Sequence, residues 1–127
     1  AFEHLVVWIR DDIAPSTAEP LQLRRMMPQV EFARDGYGNV LGGIRLAEHV
    51  VATAKNTGMN NGSNRFCFLY GSHQPFDQAT LDTLYPNHNS YVDAVREVAL
   101  QNVADGYILP LAAQKTIREA QDSDIGR

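Results

Sequence analysis

The apolar positions of this chain change period along its length. Phe2, Leu5, Val6, Ile9 and Ile13 recur at helical spacing. Pro15 closes the pattern, so a helix is predicted over residues 1–14. It opens without a capping residue, as if an element preceded it. Residues 15–29, "PSTAEPLQLRRMMPQ", contain three prolines and predict an extended linker. Residues 30–76 then read as a hairpin and extended segments. Val30, Phe32 and Arg34 alternate with Glu31 and Ala33, and Asp35 to Asn39 are dense in turn formers. The chain resumes at Val40-Leu41, and "HVVATAKN" continues with β-branched residues. "TGMNNGSNR" is an aperiodic polar loop. "FCFLYGS" is a strand or a buried extended segment.

Residues 77–122 return to helical spacing. Asp77 is the expected cap of "QATLDTLY", and Pro86 stops that helix. Asn89 or Ser90 caps the next helix. Its apolar stripe is Tyr91, Val95, Val98 and Val103, widened by Ala94, Ala99 and Leu100. Gly106 suits a helix C-terminus, and Pro110 suits the first turn of a last helix carrying Leu111, Ile117 and Ala120. "DSDIGR" is expected to fray. The fold class is therefore mixed α/β, with a β-hairpin and extended segments packed with three to four helices. Residues 1–127 form a single or partial domain.

Composition narrows the function classes. A chain of 127 residues can bury a modest core. Its net charge is −4, with scattered acids, which disfavours a nucleic-acid or anionic-membrane partner. No apolar run reaches membrane-spanning length. "HLVVWI" is too short for a signal-peptide core, and the chain begins at Ala1, as a processed chain or a piece of a longer one would. The single cysteine, Cys67, cannot form an internal disulfide and sits in an apolar run as a small core residue.

The chemistry a hydrolase needs is incomplete. No G-x-S-x-G elbow occurs. Ser72 and His73 are adjacent, and neighbours in an extended segment face opposite ways. His4, His49, His73 and His88 lack zinc-site spacing, so no metal and no cofactor is expected. The stretch "RDGYGNVLGGIRL" lacks both the Gly-Lys-Ser/Thr ending of a phosphate loop and a dinucleotide fingerprint. Positive φ in a turn explains Gly36 to Asn39 better. Gly42 and Gly43 predict a bulge or a close backbone approach. Arg45 needs an acidic or carbonyl partner, for which Asp35 is the local choice. The predicted structural set is Asp35, Gly38, Asn39, Gly42, Gly43 and Arg45.

Several of these pieces together resemble one family. "VVWIRDDIAPS", "RDGYGNVLGGIRL", "FLYGSHQPF", "LYPNHNSYVDAV" and "ILPLAAQKTIREA" occur in the order seen in the C-terminal portion of bacterial alpha/beta hydrolase domain proteins, read as esterases. The signature D-x-x-G-N followed by G-G-I-R is the most specific. Asp12, Ala47 and Ala52 depart from that pattern. The resemblance implies a parent enzyme that hydrolyses esters with a Ser-His-acid triad lying upstream of the matched region. It leaves this segment core, lid or pocket-wall duties. His73, Tyr70 and Arg45 are the candidate substrate contacts. The implied partner is the N-terminal hydrolase part or another copy of the chain. The rival expectations are a stand-alone partner- or ligand-binding module and an enzyme assembled with a separate chain.

Overall fold

The computed structural model describes residues 2–58 and 70–127. Cys67 and the apolar run before Tyr70 lie outside these residues, as does most of the polar loop before them. Among the described residues the fold is mixed α/β, with five helices and two small antiparallel sheets.

Helix α1 (Phe2–Asp11) ends earlier than its apolar spacing suggested, because Asp12 takes φ 55° and breaks the helix ahead of Pro15. The predicted linker is partly ordered. Its Leu23–Arg25 forms β1, paired antiparallel with β2 (Glu31–Phe32) through Leu23↔Phe32 and Arg25↔Glu31. Gln22 stitches the rest: its N–H donates to Leu41 O and its carbonyl accepts from Ala33 N. The hairpin itself closes at the Arg34↔Val40 bridge.

The glycine pair ends this hairpin without forming a strand. Gly42 and Gly43 have φ 79° and 67°, and a Cβ on Gly42 would lie 2.3 Å from Pro20 O. Of the two expectations, close backbone approach is what the molecule uses. In the turn, only Gly38 takes positive φ (89°); Gly36 does not, and has open space around it.

The next segment departs from its β-branched reading. Ala47–Val50 forms a one-turn helix, α2, before β3 (Ala54–Thr57) begins. Tertiary burial overrides local preference here, since Ala47 and Val51 enter the same core as Tyr85, Val92, Val95 and Ala120. β3 pairs with β4 (Ser72–Pro75) in regular antiparallel register, with His73 opposite Asn56.

The remaining helices are α3 (Gln78–Leu84), α4 (His88–Ala104) and α5 (Pro110–Asp122). Asp77 caps α3 by accepting from Thr80 N, and Pro110 opens α5, as the sequence predicts. The cap of α4 is Asn87, not Asn89 or Ser90: its extended backbone follows Pro86 and its side chain accepts from Ser90 N. Gly106, at φ 75°, sits just past the end of α4. α4 packs along α5. Its buried face is Val92, Val95, Ala99 and Asn102, which leaves Leu100 outside. The C-terminal residues dock rather than fray. Ile125 packs on the core, and His88 places its ring nitrogens 2.9 Å from Ile125 O and 3.1 Å from Gln121 O.

Candidate functional site

The glycine-rich hairpin is held together by its own side chains. Asp35 Oδ1 accepts from Tyr37 N (3.0 Å) and Asn39 N (2.9 Å). Its other oxygen pairs with Arg45 Nη2 at 3.0 Å, and Arg45 also donates to His49 O at 2.8 Å. Asn39 is fully buried and reaches across to the second sheet. Its Nδ2 donates to Ala54 O (3.2 Å), and its Oδ1 accepts from Asn56 N (2.8 Å). Those two bonds fix β3 relative to the hairpin.

Asn56 carries this order onward. Its side-chain oxygen lies 2.7 Å from His73 Nδ1. With Nδ1–H donating to that oxygen, Nε2 is left as the acceptor on a side chain that faces solvent. His73 lines a cleft of about 500 Å³ between the β3–β4 ribbon and helices α2, α4 and α5. Ala47, Val51, Val95 and Ala120 make its apolar floor, and Glu48, His49, Thr116 and Glu119 stand on its walls. Tyr91 lines it too. Burial raises the Tyr91 phenol, and the Glu48 carboxylate raises it further. Behind it, Tyr85 meets Tyr91 edge-on at 5.0 Å and donates to Ala52 O at 2.9 Å. Burial holds the Tyr85 phenol at about 12, assisted by Tyr91 and Tyr37.

Of the candidate substrate contacts, only His73 lines this cleft. Tyr70 is on the surface, 68% exposed, and Arg45 serves the hairpin. Ser72 and His73 are consecutive in a paired strand and so project to opposite faces. Among the described residues, no group of three or more His, Cys, Asp or Glu could hold a metal ion. Sequence reasoning passed over Glu48, Thr116 and Glu119. It also passed over Asn102, which does carry a signal: a polar residue three positions after Ala99, on the buried face of α4.

The chain matches a family model described as an alpha/beta hydrolase domain over residues 1–118, and it belongs to that family. No curated protein and no solved structure matches it.

Proposed function

We propose that the chain is a C-terminal segment or subunit of a serine-dependent carboxylic ester hydrolase, not catalytic by itself. It forms a partial domain whose partner is the part carrying the triad. It lends that part a packed floor and one wall of the substrate pocket, through the cleft that His73 lines.

One observation carries this reading: the distribution of large and small apolar side chains. The buried positions are mostly alanine and valine, whereas Phe2, Trp8, Ile9, Leu21, Leu23, Phe32 and Leu111 are all exposed. No residue of α1 is buried. Burying one such large side chain is worth about 1.5–3 kcal/mol, so this surface has strong reason to meet another. The family membership supports the hydrolase part of the reading. The missing elbow supports the non-catalytic part.

The test treats the purified chain with a fluorophosphonate probe and p-nitrophenyl esters. Neither labelling nor turnover is expected from the chain alone. Both are expected when it is joined to, or mixed with, the upstream coding region bearing G-x-S-x-G. Labelling at Ser72 of the isolated chain would overturn the assignment. A monomer that melts sharply and binds no apolar dye would favour a stand-alone binding module instead.

A further inference from the structure

A second groove, of about 610 Å³, shares no lining residue with the His73 cleft. Its size is that of a small-molecule site. One end is apolar, formed by Tyr107, Ile108, Leu109, Leu111 and Ala112. That end is fixed from behind. The N–H groups of Tyr107 and Ile108 both donate to Asn102 O, at 2.9 and 3.3 Å, and the Tyr107 hydroxyl donates to Thr17 O at 3.2 Å. Further along α5 the lining turns cationic, with Lys115 and Arg118. Leu111, Lys115 and Arg118 follow each other at helical spacing and so share one face of α5. The helix rises about 10 Å from Leu111 to Arg118. His4 of α1 completes the lining.

The charge of this groove is one-sided. The whole chain carries a net charge of −4, yet no Asp or Glu lines the groove. Arg118 makes no hydrogen bond or ion pair among the described residues. Lys115 meets Glu119 at 3.6 Å in an exposed pair, which holds it weakly. Both side chains are donors without an acceptor.

We propose that this groove binds a medium-chain fatty carboxylate. Its tail lies over Ile108, Leu109, Leu111 and Ala112, and its carboxylate accepts from Arg118 and Lys115. An extended octanoate has about the reach needed to touch both ends. An alkylammonium of the same length would bring a like charge to Lys115 and Arg118, and an alkanol would leave both cations unpaired. The inference concerns a site apart from the His73 cleft and holds whether or not the ester-hydrolase reading does.

Isothermal titration of the purified chain with octanoate, octylammonium and octanol, each below its micelle-forming concentration, tests it. Amide shifts in NMR locate the site. Octanoate should bind saturably and about fivefold or more tighter than the other two, with shifts centred on residues 107–118. Arg118→Gln should weaken octanoate binding about fivefold or more, and Leu111→Ser should weaken it as well. Both side chains are exposed, so neither change should move the melting temperature. Arg96→Gln alters an exposed arginine of α4 outside the groove and should leave the affinity unchanged. Equal binding of octylammonium or octanol would overturn the proposal and leave a plain apolar groove. Equal losses in Arg118→Gln and Arg96→Gln would overturn it in favour of unspecific attraction to surface charge. So would shifts centred on the His73 cleft. An absence of saturable binding would also overturn it, as expected of a groove that a partner protein covers. These outcomes are read as binding alone, so they leave the fluorophosphonate result untouched.

Discussion

Single residues hold the hairpin, and they do so unequally. Asn39 uses its amide in both directions, donating to Ala54 O and accepting from Asn56 N, with no exposure to water. Asn39→Ala should cost about 2–3 kcal/mol in urea denaturation, since two backbone groups lose their partner. Asn39→Asp should be no milder, because a carboxylate oxygen would then face the Ala54 carbonyl. Asp35→Ala should cost about 2 kcal/mol by freeing two turn N–H groups and leaving Arg45 half-buried without its carboxylate. Gly42→Ala should be equally damaging, as its Cβ would strike Pro20 O at positive φ. Gly36→Ala is the control and should be close to neutral. Tyr85 supplies a pH signature. Its phenol is raised in the folded state to about 12, from an ordinary value of 10.0. Folding therefore favours the protonated form: the full contribution is present below about pH 10 and is lost as pH rises from there through 12. Tyr85→Phe should flatten stability in that alkaline window and cost about 1 kcal/mol at neutral pH, through the unpaired Ala52 carbonyl.

At the scale of elements, caps and packing decide what forms. The Asp77 carboxyl is held below the usual carboxylate range, chiefly by the backbone N–H of Thr80 and then by its side chain. A depressed carboxyl stabilises above its unfolded value near 3.8 and loses that contribution as pH falls through the lower folded value. Far-UV circular dichroism across that acid range should show part of the unfolding shift, and Asp77→Asn should remove it while keeping the cap. Asn87→Ala should destabilise by about 1 kcal/mol, whereas Asn89→Ala should change little, since Asn87 makes the capping bond. The capping chemistry of α3 and the proline start of α5 were legible because they are local. Helix α2 was not: four residues cannot show a period, and only the core around Val51 and Val95 makes that turn worthwhile.

For the whole molecule, the core sits where α2, α4 and α5 meet, and α1 adds no buried residue to it. Removing residues 1–11 should therefore shift the melting temperature by no more than about 2 °C. A larger fall would mean that α1 packs on the body already in the isolated chain. The sole tryptophan, Trp8, is half exposed on that helix and reports on it directly. Its emission should be red-shifted in the isolated chain and move to shorter wavelength when the proposed hydrolase part covers it.

The sequence by itself determined the local chemistry: the turn at Asp35 to Asn39, the caps at Asp77 and Gly106, the helical C-terminal region from Gln78 onward, and the family signature that spans the hairpin. Such features depend on residues a few positions apart, whose preferences survive in isolation. Only the tertiary structure decided what those features meet. Asn39 finds Ala54 and Asn56 beyond the hairpin, His73 finds Asn56 across a ribbon, and Asn102 approaches Arg45 from 57 positions away. It also rotated the buried face of α4 onto Val92 and Asn102, which apolar spacing alone had placed elsewhere. Spacing records which side of a helix is apolar. Which part of that side is covered, and which buried polar atom is left without a partner, depends on the surfaces that arrive from distant segments.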